Sequence, residues 1–276
     1  MALEDFLKNS VVSNKIMVAF FLGAIYSLIG IFTAKTIFGA NPDMMAVAFV
    51  AILLIPAINK TLKAEESLEA SGEKLSIKRL WIEHKDIFFI YTALFMGVFF
   101  AFLFFTVFNS QNTIFNMFNA QLNVAGITGR AIQPGFFSSV LINNMKVLLA
   151  CLILSLVYGA GSLLFIVWNA SVWGVVFGYA IKTSAMTTGQ NPLIAFFMVM
   201  FVGNSGRLPP IIHLIVEALS YFSAAIAGGV MSKAITKESW FSDRFNHVAT
   251  DSLILFGLAI LFVILAAYLE AIKFSF

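Results

Sequence analysis

Four residue types able to move protons, pair charges or hold ions lie inside apolar stretches between residues 143 and 217. They are Asn143, Asn144 and Lys146, then Asn169, then His213 and Glu217. An amide or a charge in hydrocarbon is costly, so such residues mark candidate functional sites by default. His213 and Glu217 are four apart and share one helix face. At 1.5 Å rise per residue, Lys146 lies about 12 Å and Glu217 about 10 Å from the same membrane face. Asn143 and His213 fall about 7 Å and 4 Å from it. The matching depths predict a Lys146–Glu217 ion pair, with His213 and Asn143 completing a hydrogen-bonded cluster. Such a pair needs contact at about 4 Å or less to offset desolvation.

Three chemistries are open to this cluster. A buried polar clamp would fix helix register, each interhelical hydrogen bond contributing about 0.6–2 kcal/mol. A proton- or ion-translocation site would use the titration of His213 and proton exchange between Glu217 and Lys146. A metal hydrolase has less support: His213 and Glu217 supply two ligands, zinc takes three or four, and His84 and His247 belong at the other membrane face. The chain has no Gly-x-Ser-x-Gly elbow, His-Glu-x-x-His or phosphate loop. The single cysteine, Cys151, excludes an intramolecular disulfide and a cysteine-based metal site, and its apolar run reads as packing. No catalytic residue, metal or cofactor is expected.

The elements that must position these groups follow from composition. Of 276 residues, 60% are hydrophobic and only 11% charged, and the mean hydropathy is +0.93. A soluble domain carries about 25% charged residues, so a soluble enzyme, a nucleic-acid module and a disordered tail are excluded. The expectation is a single integral membrane domain over residues 1–276, an all-α polytopic transmembrane helix bundle in contact with lipid. The first ten residues are polar and acidic, unlike a cleaved signal. Apolar runs long enough to approach the roughly 20 residues of a crossing occupy 16–38, 44–58, 87–108, 138–158, 163–181, 210–231 and 253–271. Pro56 predicts that the second run stops or bends there. The stretch 193–202 is too short to cross and is broken by Gly203-Asn204-Ser205-Gly206. It reads as a re-entrant or interfacial half-helix, whose irregular backbone needs protein or water as cover.

Charge sets the expected orientation. The N-terminal tail and the connections 59–86 and 232–251 hold 11 of the 17 basic residues and share one side if there are seven crossings. Positive charge stays in the cytoplasm, which places the N-terminus inside the cell membrane and the C-terminus outside. The 59–86 hairpin, with six acids and Trp81 as interface anchor, reads as a solvated tip or a docking surface. The external loop 109–137 is expected to be partly ordered, with a short amphipathic helix near 113–122. No internal repeat is apparent, so an inverted-repeat transporter lacks support. Small residues at helical spacing, Gly174/Gly178, Ala224/Gly228 and Ala225/Gly229, allow close backbone approach within the bundle or in a homo-oligomer.

Residues 136–234 resemble the stage II sporulation protein M family of polytopic membrane proteins. The resemblance rests on Leu141-Ile142-Asn143-Asn144-Met145-Lys146-Val147, Gly159, Asn169 with Gly174, the run from Pro210 through His213 to Glu217, and the Ala/Gly-rich Ser223–Gly229. It covers a little over a third of the chain and implies a multi-span scaffold that organises membrane or envelope proteins, without enzymatic activity and without nucleic acid. The alternative is a small permease or ion- or proton-coupled channel that uses Lys146, Glu217 and His213.

Overall fold

A computed structural model describes residues 12–39, 41–68, 77–124, 136–202 and 209–274. Among them no strand occurs, and the chain is a membrane-type helix bundle. Its helices are α1 (Val12–Phe38), α2 (Asp43–Leu68), α3 (Ile77–Phe108), α4 (Gln111–Met117), α5 (Asn119–Val124) and α6 (Phe136–Tyr158). They continue with α7 (Leu163–Thr188), α8 (Pro192–Phe197) running into a π-helical turn (Met198–Val202), α9 (Pro210–Lys237) and α10 (Asp243–Phe274). Helices α1, α3, α6, α7, α9 and α10 are long and apolar enough to cross a membrane, and α2 carries a shorter apolar stretch at Asp43–Asn59. A helix satisfies its backbone internally, which lipid cannot do. Hydroxyls in the spans use the same solution: Thr92 donates to Phe88 O and Thr106 to Phe102 O, both at 2.8 Å.

Glycines bring several helix pairs close. A Cβ on Gly23 would meet Leu94 O at 2.5 Å, and one on Gly97 would collide with Phe20 O. On α7, a Cβ on Gly174 or Gly178 would meet Phe99 O or Leu103 O at 2.6 and 2.8 Å. The small-residue pair Gly174/Gly178 therefore serves contact within the chain. Gly228 does the same for α9 on α6, facing Leu152 O and the Cβ of Ser155.

These contacts fix directions. Gly23 lies by Leu94 and Val98, and Phe32 by Phe105, so α1 and α3 run parallel. Helix α2 must return between them. Gly174 beside Phe99 and Gly178 beside Leu103 make α7 parallel to α3. Phe222 packs on both Tyr91 and Phe95 while His213 packs on Trp173, so α9 descends against them. Helix α10 then returns antiparallel to α9. The N-terminal end of α1 and the C-terminal end of α10 accordingly lie at opposite faces of the bundle. The chain sorts into one group of α1, α2, α3 and α7, and a second of α6, α9 and α10, with α9 touching both.

Local details depart from expectation. Helix α2 continues through Pro56 instead of stopping there. The helix expected near 113–122 is two short helices, α4 and α5, divided at Phe118; Ser110 caps α4 by accepting from Thr113 N. The pair is held to the bundle by Asp43, whose Oδ2 accepts from Ala120 N at 2.9 Å, and by Asn41 N donating to Asn116 O. Lys182 on α7 donates to the terminal α3 carbonyls of Val107 and Asn109 at 3.1 and 2.6 Å. The half-helix forms as α8 plus the π turn, with Asn191 capping its start. Residues 125–135 of the expected external loop and the break at 203–206 lie outside the described residues.

Candidate functional site

Helices α6, α9 and α10 meet along a seam of small residues. Leu148 and Cys151 of α6, Tyr221 and Ala224 of α9, and Ala259 and Val263 of α10 form one buried cluster. Ala225, Gly228 and Gly229 of α9 are buried as well. The buried positions of α6 are 144, 148, 151 and 155, spaced as one helix face demands.

That face decides the fate of Lys146. It lies two residues from both Asn144 and Leu148, about 200° around the helix from each. Lys146 is exposed on the outside of the bundle, as is Asn143. The Lys146–Glu217 ion pair expected from depth is not made: among the described residues Glu217 forms no salt bridge with a lysine. The Lys146 side chain points away from the face of α6 that meets α9 and α10. Asn143 instead donates to Asn144 Oδ1 at 3.4 Å. Asn144 is buried, and its Nδ2 finds no hydrogen-bond partner among the described residues. Asn169 is half-buried and donates to Phe165 O of its own helix at 2.8 Å, apart from the cluster.

His213 and Glu217 do come together, and they have a third member. The ligand-type atoms of His213, Glu217 and Glu270 all lie within 4.8 Å of one another. His213 and Glu217 are 4% and 6% exposed, and Glu270 is half-buried. The geometry follows from the antiparallel hairpin. Glu217 stands two turns into α9 and Glu270 one turn from the end of α10, so they reach the same level. Tyr221, one turn below, donates to Glu217 Oε1 at 2.9 Å. Trp173 of α7 walls the other side, its ring centroid 4.8 Å from that of His213. The count of two ligands reached from sequence is corrected to three.

Glu270 had a sequence signal. It falls inside the apolar run 253–271 yet reads as the end of a span. The His213–Glu217 spacing has a local likeness elsewhere in the chain. His213-Leu-Ile-Val-Glu217-Ala218-Leu219 followed by Phe222 recurs 34 residues on as His247-Val-Ala-Thr-Asp251-Ser252-Leu253 followed by Phe256, and Ala225-Ile226 recurs as Ala259-Ile260. On antiparallel helices the two copies point to opposite faces. His247 meets Asp251 at 3.5 Å, about 28 Å along α10 from Glu270. Asp251 lies within α10 rather than in a connection.

Two carboxylates at this separation in an apolar setting repel strongly, because screening there is weak. They are stable together only with positive charge beside them, as a proton, an ammonium or a metal cation. Among the described residues the arrangement can therefore hold a cation, and the imidazole adds a nitrogen donor. No family model, curated protein or solved structure matches the chain.

Proposed function

We propose that the chain is a non-enzymatic membrane scaffold that recruits another membrane protein through the outward face of α6, with its N-terminus in the cytoplasm, its C-terminus outside and the cell membrane as its site. The observation that carries the reading is Lys146. It is the eleventh of the 23 residues of α6 and is exposed on the outside of the bundle. It lies about 15 Å from the start of the helix, near the middle of the span, so its stem is too short to carry the ammonium to either face. A lysine at that depth costs about 2.5–3.5 kcal/mol when it faces lipid.

The surroundings of Lys146 fit a docking helix. Ile142, Lys146, Leu149, Ile153 and Leu156 are exposed at alternating spacings of four and three, the seam of a helix pair with one polar position that sets register. Only 22% of the apolar core of this span is buried within the chain, against 72% for α9. A symmetric second copy would oppose two lysines. The occupant we infer is a transmembrane helix of a different protein, with Asp or Glu at mid-span. Kinship with the stage II sporulation protein M family belongs to the same proposal, on Asn143, Asn144, Asn169, His213 and Glu217.

The test is a charge swap. Lys146→Leu should leave the chain folded and lose its partner, and Lys146→Glu should regain it only when the partner's acid becomes lysine. Partner capture indifferent to both substitutions would overturn the reading.

A further inference from the structure

We infer that His213, Glu217 and Glu270 bind one divalent transition-metal ion, zinc foremost. This inference concerns a different face of the second helix group and is independent of docking at α6.

The donor set is one imidazole nitrogen and two carboxylates. A divalent ion cancels the charge of both carboxylates, which one ammonium would not. The imidazole disfavours magnesium and calcium, which take all-oxygen shells, and the absence of thiolate from the triad disfavours copper(I); zinc, manganese and iron(II) suit such a set. Around zinc, with bonds of about 2.0–2.2 Å, tetrahedral ligand atoms stand about 3.4 Å apart. The present limit of 4.8 Å thus needs a closure of at most about 1.4 Å by side-chain rotation.

Supporting groups are already placed. The Tyr221 hydroxyl holds Glu217 Oε1 at 2.9 Å, the kind of outer hydrogen bond that orients a ligating carboxylate. Trp173 restricts the His213 ring. The ligands come from both arms of the α9–α10 hairpin, so the ion would pin those helices together. Three protein ligands leave a fourth position for water, and half-buried Glu270 gives the ion its way in.

The experiment uses the full chain in detergent, stripped with chelator, reloaded with Zn2+, desalted and assayed by elemental analysis. In parallel, Co2+ loading is followed by visible absorption. The expected result is about one ion per folded chain, a Co2+ spectrum of low coordination number, and a melting temperature that rises with Zn2+. Glu270→Gln should weaken binding at least tenfold and remove the Zn2+-dependent shift. Because Glu270 is only half-buried, this variant carries the test even if His213→Ala or Glu217→Gln fails to fold. Folded wild-type chain that takes up less than a tenth of an equivalent would overturn the site, as would Glu270→Gln binding like wild type.

Discussion

Glu217 and Glu270 stand on opposite arms of an antiparallel helix hairpin with carboxylate oxygens within 4.8 Å of each other and of a histidine nitrogen. The Tyr221 hydroxyl donates to the Glu217 carboxylate from one turn away. What supplies positive charge to this pair governs how the second helix group behaves.

Glu217→Gln separates a clamp from a transport site. If the cluster locks α9 to α10, the substitution lowers the yield of monodisperse protein and abolishes no flux. The destabilisation should be about 1–2 kcal/mol, the scale of a hydrogen bond in a membrane interior. Proteoliposomes that show a pH-driven flux in wild type, abolished in a well-folded Glu217→Gln variant, would instead favour the permease alternative.

Tyr221→Phe removes one hydrogen-bond donor and no packing volume. The Glu217 carboxylate loses its 2.9 Å partner, and the cost should be about 0.6–2 kcal/mol. Thermal unfolding in detergent, compared with wild type, measures it directly. No change in melting temperature would mean that the bond does not hold the carboxylate.

Glycine substitutions on two helices should differ in sign. At Gly174 an added methyl meets the Phe99 carbonyl at 2.6 Å, which backbone can relieve only by moving. Gly174→Ala is expected to destabilise by about 1–3 kcal/mol. At Gly257 nothing lies within 4 Å, and Gly257→Ala should stabilise α10 by up to about 1 kcal/mol. Equal melting temperatures for the two variants would contradict the α3–α7 crossing.

Much of this was readable from the residues. The all-α bundle, the half-helix after α7 and the pairing of His213 with Glu217 follow from apolar run length and a spacing of four. The direction taken by Lys146 does not. A span that is apolar all round gives no internal sign of which stripe faces protein, so an estimate of depth does not establish contact. Packing settles it instead: Asn144, Leu148 and Cys151 face α9 and α10, which turns Lys146 away. Glu270 escaped notice because a carboxylate one turn from a helix end resembles an interfacial one. Only the antiparallel register of α9 and α10 reveals that this end lies level with Glu217.

Lys182 offers a check on the first helix group. Its ammonium holds the last carbonyls of α3 at 2.6 and 3.1 Å, where a cation also favours the helix dipole. Lys182→Met should cost about 1.5 kcal/mol, the low end for a charged hydrogen bond because the group is half-exposed. Amide exchange should quicken in the last turn of α3 and in α4. Unchanged exchange there would show that the cap is dispensable.

The central claim is that the outward face of α6 is an interface, and site-directed photocrosslinking in native membranes tests it most directly. A crosslinking residue at Leu149, beside Lys146, should capture one discrete membrane protein with an acidic residue in its span. The adduct should vanish in Lys146→Leu and be absent when the probe sits at Leu261 on α10. Equal capture at both positions, or capture at Leu149 that survives Lys146→Leu, would contradict it.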